Sequence, residues 1–276
     1  MRLWSKWAGW VLASAMLFAL PARAEEMPGE ESWRALKPLM FGAREIRQDG
    51  TQVIALWAPG RAEDAAVVPI RIRTRIKQTP ERFVKTIWLV IDNNPSPFGV
   101  KFMMTPESGR ADIETRVRLE NSSPVRVVAE LNDGSLWMDS RVVFGSGGCS
   151  APVAKNEQAM KNMGKLKFSV EEEPKSSGGA ALAHLRVSHP QFSGIGARAL
   201  GARFVRQVNV FYADKMVMSA ELDFTISENP SFRFYFLPSG KGELRAEIVD
   251  TEGLRSEAAL AVVVPDAASA TEPAGQ

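Results

Sequence analysis

The one residue type in this chain suited to covalent nucleophilic chemistry without a partner is cysteine, and there is a single copy, Cys149. It stands in Gly145-Ser146-Gly147-Gly148-Cys149-Ser150-Ala151-Pro152. An intramolecular disulfide is excluded, and without a resolving thiol a thiol oxidoreductase mechanism is disfavoured. Glycine and serine form no apolar run around the sulfur. The sequence therefore predicts an accessible thiol on a short mobile arm, Gly145, Ser146, Gly147 and Gly148, offered to other proteins. Glycines carry no side chains to shield the sulfur and admit backbone conformations closed to other residues. The thiolate is the reactive form of such a group. The nearby Lys155 and Lys161 read as solvated linker residues without a catalytic role.

Other candidate chemistry is sparse. The two histidines, His184 and His189, are five apart. That odd spacing sends side chains on one strand to opposite faces, so no metal pair is expected. One cysteine cannot form a zinc cluster of the usual spacing. Gly194-Ile195-Gly196 lacks the third glycine of a dinucleotide fingerprint and does not lead from a strand into a helix. No metal and no tightly bound cofactor are expected.

Strands must position the thiol. Ile70, Ile72, Thr74 and Ile76 alternate with Arg71, Arg73 and Arg75, and Ile113 to Leu119 alternates with Glu114, Arg116, Arg118 and Glu120. This is the period of half-buried strands. The three arginines read as a solvated face or as protection of an edge strand. Val84 to Ile91 reads as a more buried strand. Pro59-Gly60, Asn93-Asn94-Pro95, Asn121-Ser122-Ser123-Pro124 and Asn132-Asp133-Gly134 punctuate the runs. A strand from Leu136 to Phe144 delivers the chain to the arm. Trp33, Leu36, Leu39 and Met40 predict a short amphipathic helix before the first strands, while Trp57, Trp88 and Trp137 are expected in the core. Further strands fit Leu166 to Val170, Leu182 to Val187, Phe204 to Tyr212, Met216 to Phe224, Phe232 to Leu237, Leu244 to Val249 and Ala258 to Val264. Ala213-Asp214-Lys215 is a hairpin tip. The fold class is all-β, two sandwiches joined by the cysteine arm and a linker.

Export is written at the N-terminus. Arg2 and Lys6 precede an apolar stretch from Trp10 to Leu20, and Pro21-Ala22-Arg23-Ala24 supplies small residues before a cut at Glu25. This predicts a cleaved signal peptide over 1–24, too short in its apolar run to span a membrane, and a periplasmic protein. Removing Arg2, Lys6 and Arg23 from the 34 basic residues leaves 31 against 32 acidic ones, so the mature chain is near neutral. Nucleic acid is not an expected partner. An odd cysteine in an oxidising compartment suggests a reactive or intermolecular thiol, and a Cys149-linked homodimer is one expected form.

Val68-Pro69-Ile70, Asn94-Pro95-Ser96-Pro97, Arg116-Val117-Arg118-Leu119, Asp133-Gly134 and the terminal Gly147-Gly148-Cys149 resemble the SoxY subunit of the thiosulfate-oxidation carrier. The second half resembles its partner SoxZ, through His189-Pro190, Ser193-Gly194, the Phe204 to Tyr212 strand, Ile226-Ser227-Glu228-Asn229-Pro230 and Asp250-Thr251-Glu252-Gly253. The fused arrangement is similar to the SoxYZ-like carrier proteins associated with quinoprotein dehydrogenases. The resemblance implies two immunoglobulin-like sandwiches, a SoxY-like domain over 25–149, a linker over 150–163, a SoxZ-like domain over 164–264 and a disordered tail over 265–276. It implies that Cys149 carries a covalent sulfur-containing adduct between periplasmic enzymes, and that the chain is not itself an enzyme. The chain departs from the family in having Ser150-Ala151-Pro152 where two glycines follow the cysteine, and in tethering the arm at both ends. The five residues from Phe144 to Cys149 reach roughly 17 Å fully extended. The alternative expectation is a scaffold or accessory of a periplasmic quinoprotein alcohol dehydrogenase, with a dispensable thiol.

Overall fold

A computed structural model describes residues 29–151, 161–172, 179–195 and 201–263. The expected signal peptide, the C-terminal tail and most of the linker, Lys155 included, lie outside the described residues. The first half contains helix α1 (Glu30–Phe41) and strands β1 (Ile46–Arg47), β2 (Ile54–Trp57), β3 (Val68–Thr74), β4 (Val84–Ile91), β5 (Phe98–Met104), β6 (Ile113–Val117), β7 (Ser123–Leu131) and β8 (Leu136–Val143). The second contains β9 (Leu166–Glu172), β10 (Ala181–Val187), β11 (Val205–Tyr212), β12 (Lys215–Leu222), β13 (Ser231–Phe236), β14 (Gly242–Asp250) and β15 (Arg255–Val262).

The strands form two layers, as the all-β reading expects. In β3 the residues Val68, Ile70 and Ile72 are buried while Pro69, Arg71 and Arg73 face solvent. The turn at Ala213 and Asp214 has φ of 46° and 63°, the left-handed pair that a two-residue hairpin needs to match strand twist. The two halves are joined strand to strand within both layers. One sheet runs β1-β8-β7-β4-β5-β12-β11-β14-β15, and the other β2-β3-β6-β13-β10-β9. Each sheet therefore crosses from one half to the other without a break. The seams are antiparallel, β5 against β12 from Met104↔Met218 to Val100↔Leu222, and β6 against β13 at Ile113↔Phe234 and Glu114↔Arg233. Pairing these strands satisfies edge amides that separate domains would leave open. It also merges the two cores: Phe102 and Phe232 meet edge to face, with ring centroids 6.1 Å apart.

Helix α1 covers the outer face of the first sheet. Trp33 and Phe41 pack there with Ile46, Val90, Val128, Leu136 and Met138, a small second core. Of the three tryptophans expected inside the main core, Trp137 packs half-buried against its margin and the other two lie elsewhere. Trp57 is 46% exposed beneath the Arg71 guanidinium, Trp88 packs against Phe41 at 5.1 Å, and Trp137 lies beneath Arg47. An indole on an outer face still buries much of its area under a stacked cation. Nor does the arginine stripe guard an edge, since β3 lies between β2 and β6. Arg71, Arg73 and Arg233 instead surround Glu114 on a solvated face, the outcome expected of a charged strand face.

Candidate functional site

Strand β8 ends at Val143, and Phe144 is held in a bridge to Arg61, where it accepts from the Ala62 amide at 2.8 Å and donates to Gly60 O at 2.9 Å. From here the arm runs along the segment that follows β6. The Gly147 amide donates to Glu120 O at 2.8 Å, and the Gly148 amide to Leu119 O at 2.9 Å. Leu119 in turn donates to Ala65 O at 2.8 Å. The arm is thus pinned between the β2–β3 connection and the strand end that it follows. The glycines serve this fit. Gly147 has φ of 77°, and a Cβ on Gly148 would stand 2.0 Å from Ala65 O.

The accessible thiol predicted from local composition is therefore corrected. Cys149 is 2% exposed, and its neighbours are remote in sequence. Glu120 closes the site from one side: its Oε2 accepts the Cys149 amide at 2.9 Å and the Ser150 amide at 3.0 Å, and its Oε1 accepts the Ser150 hydroxyl at 2.9 Å. Asn94 holds the base of Glu120, with Oδ1 accepting the Glu120 amide at 2.9 Å and Nδ2 donating to Arg118 O at 2.8 Å. From the second half, Ser193 Oγ donates to Cys149 O at 2.8 Å. Ser150, the departure from the family's glycine, is one of the groups that hold the arm.

Burial sets the chemistry of the thiol. Its pKa is pushed up to about 12 from an ordinary 9.0, chiefly by burial, with Glu120 and Asp223 adding to the rise and Arg118 opposing it. At neutral pH such a thiol is ionised in on the order of one molecule in 10⁵. Placed so, the sulfur is protected from oxidants and is not a nucleophile. Nor does it present a surface for a disulfide to a second copy while the arm is closed.

Arg118 is buried as well, 4% exposed. Its Nη1 donates to the carbonyls of Gln191 and, at 3.2 Å, Phe224, and Nη2 to Pro190 O at 3.4 Å. All three acceptors belong to the second half, so one side chain stitches the halves beneath the arm.

His189 fixes the segment that reaches Cys149. Its Nδ1 accepts the Gln191 amide at 3.1 Å and its Nε2 faces Asp250 Oδ2 at 3.5 Å, so the ring is neutral, with the proton on Nε2. Burial holds its pKa below the ordinary value. Asp250 also takes Arg203 Nε at 2.8 Å and the amides of Glu252 and Leu254. The Asp250-Thr251-Glu252-Gly253 and His189-Pro190 motifs are thus structural, and one of their effects is to place Ser193. His184 stands apart in β10, its Nε2 2.7 Å from Ser231 Oγ. Among the described residues no cluster of three metal-ligating side chains exists, and no helix is long and apolar enough to cross a membrane.

Sequence reasoning found Cys149 and the arm but missed Glu120, Asn94, Arg118 and Ser193 as its surroundings. Glu120 was read as one more outward charge in an alternating strand. Nothing in its local pattern announces a carboxylate that accepts two amides from a segment 29 residues later.

Two protein-family models match the chain: sulfur oxidation protein SoxY over residues 38–149 and sulphur oxidation protein SoxZ over residues 168–261. A SoxY domain and a SoxZ domain thus stand in one chain, and the first match ends on Cys149. Among solved structures, the sulfur carrier protein SoxY from Chlorobium limicola f thiosulfatophilum is 23% identical, with a TM-score of 0.35, over 42% of this chain and 92% of that one. A superoxide reductase (neelaredoxin) from Ignicoccus hospitalis is 15% identical, with a TM-score of 0.30, over 33% of this chain and 79% of that one. A β-glycosidase from Bacteroides vulgatus is 9% identical, with a TM-score of 0.24, over 76% of this chain and 24% of that one. No curated protein matches the chain.

Proposed function

We propose that this chain is a non-enzymatic carrier in sulfur oxidation, which bears a covalent sulfur-containing cargo on the Cys149 thiol and presents it to partner enzymes in the periplasm. The observation that carries the reading is the SoxY match that ends on the only cysteine and is followed in the same chain by SoxZ. The basic, apolar and small-residue order of residues 1–24 supports export. The fused architecture supports a link to a quinoprotein dehydrogenase system, by resemblance to carriers associated with such enzymes.

On this reading the carrier's work is divided between a closed and an open arm. Closed, the thiol is protonated and shielded. Loading requires the arm to leave Glu120 and Ser193, which returns the sulfur to water, brings its pKa back toward 9.0 and restores thiolate. Partner enzymes perform the oxidation; the chain supplies the attachment atom and its protection.

Intact mass of the mature protein from its native periplasm, before and after a reductant, tests the reading. An adduct on Cys149 that the reductant releases supports a carrier, and Cys149→Ala protein should stay folded yet lose sulfur-oxidising activity. A bare thiol during active metabolism overturns it. The burial of Cys149 also favours a second reading, a scaffold of a periplasmic quinoprotein alcohol dehydrogenase in which the thiol is dispensable. Under that reading, co-purification with the dehydrogenase survives Cys149→Ala.

A further inference from the structure

Cross-strand pairing sets the outward side chains of the six-stranded sheet in rows that pass through both halves. One row runs Trp57, Arg71, Glu114, Arg233, His184 and Ser169. Its charges compensate. Glu114 lies 3.9 Å from Arg71 and 3.0 Å from Arg233, and it also meets Arg73. Arg233 meets Glu171 as well. The neighbouring row, on the side of the cysteine arm, does not compensate. In it Arg116 stands opposite Pro69, and Arg186 stands opposite both Ser231 and Lys167. Arg116 donates to the Asn229 carbonyl at 2.9 Å and Arg186 to Ser169 Oγ at 3.4 Å, both neutral acceptors. Among the described residues no carboxylate forms an ion pair with Arg116, Arg186 or Lys167. Glu228, beside Asn229, accepts from the Asn229 side chain instead.

Like charges directly opposite one another destabilise a sheet, so Arg186 and Lys167 stand where stability alone would not put them. A second such pair, Glu247 and Glu257 of β14 and β15, is relieved by Arg245. His184 registers the excess: burial first, and then Arg186, holds its pKa below the ordinary value. The row also adjoins the arm, since Arg116 is three residues before Leu119, whose carbonyl accepts the Gly148 amide. At the far side of the sheet Trp57, 46% exposed beneath Arg71, adds an aromatic surface of the kind enriched at protein interfaces. From Trp57 on β2 to Lys167 on β9 the face is about 24 Å wide, which suits one partner of ordinary interface size.

Building on the carrier reading, we propose that an acidic surface of a partner protein docks on this face to reach Cys149, with Trp57 as its apolar anchor. The partner's carboxylates supply the counter-charges that Arg116, Arg186 and Lys167 lack. Arg116 comes from the first half and the other two from the second, so the face exists only where the halves are joined. None of the three takes part in chemistry at the sulfur. They select and orient the partner, the usual office of complementary charge at an interface.

Photo-crosslinking of the full chain in its native periplasm tests this. The photoreactive amino acid p-benzoylphenylalanine, in place of Trp57, keeps an aromatic ring on the face and captures what docks there. Mass spectrometry of the crosslinked peptides should map a protein segment with more Asp and Glu than Lys and Arg. The yield should fall at least about tenfold when Arg116→Gln, Arg186→Gln and Lys167→Gln are combined, and should be kept in Arg186→Lys. The same amino acid in place of Leu39, 82% exposed on α1 at the opposite face, should not capture that segment. The proposal is overturned by no captured protein, by a segment without acidic excess, by lipid adducts in its place, or by an undiminished yield in the triple variant. If the triple variant fails to fold, Arg186→Glu with Lys167→Glu, both at exposed positions, decides: an undiminished yield overturns the proposal. Intact mass of Cys149 is read on the same cells. An adduct without an acidic crosslink removes the docking face and leaves the carrier; an acidic crosslink on a chain whose thiol stays bare does the reverse.

Discussion

At Cys149 the protecting group is a carboxylate. Glu120 accepts both amides of the Cys149-Ser150 step, so removing it should loosen the arm without touching the sulfur. At pH 8, native protein should react with iodoacetamide at least about 100-fold more slowly than urea-unfolded protein, since the thiolate fraction falls tenfold per unit of pKa rise. Glu120→Ala should speed labelling of the native protein at least about tenfold, as read by mass. An unchanged rate would show that Glu120 does not hold the arm. Gly148→Ala forces a methyl against Ala65 O and should destabilise the protein by about 1–3 kcal/mol in urea unfolding while raising the labelling rate. Composition identified the thiol because there is only one. It misjudged exposure because glycine-rich sequence reports the absence of local walls, whereas the walls here are Leu119, Ala65 and Ser193, brought by the fold.

Among the elements, strands with one wet face were legible. In β3 and β6, apolar residues alternate with charged ones, and the structure places both where the period puts them. Strand β7 was missed for a physical reason, whereas β5 keeps a readable alternation, with Val100, Phe102 and Met104 buried and the residues between them less so. Every residue of β7 except Glu130 is buried, because one face lines the main core and the other lies under α1. A strand covered on both sides has no alternation to read. The same cover explains the tryptophans, several of which belong to outer surfaces. Because the α1 cluster is separate from the main core, Trp33→Ala should cost about 3–5 kcal/mol in denaturant unfolding yet leave the Cys149 labelling rate of the native protein unchanged. A coupled change in both would mean that α1 and the arm communicate.

For the molecule as a whole, the two halves were legible as β but their union was not. Seam partners such as Ile113 and Phe234 look like any inward strand residues until the register joins them. Shared sheets and a merged core predict one cooperative unfolding transition for both halves; two resolved transitions in calorimetry would contradict the seams. Acid should weaken the fold in part through His189. Its folded pKa is lowered by burial, so its stabilising contribution is present above the ordinary value near 6.5 and is lost as pH falls below it. Asp92, raised to about 6 by burial, works the other way, favouring the folded state as pH falls. The informative quantity is therefore the melting temperature of wild type minus that of His189→Gln. It should shrink between pH 7.5 and pH 5.5, and a constant difference would exclude titration of His189.

Ser193 and Arg118 reach Cys149 and its surroundings across a seam that, in a carrier assembled from two chains, would be an association equilibrium. Joined by one backbone, the halves meet at an effective concentration on the order of millimolar or above, whatever the bulk concentration. Dilution cannot part them, and no excess of one half can leave the thiol half-dressed. The rate at which Cys149 becomes available then depends on opening of the arm alone, so labelling kinetics should be the same at nanomolar and micromolar protein.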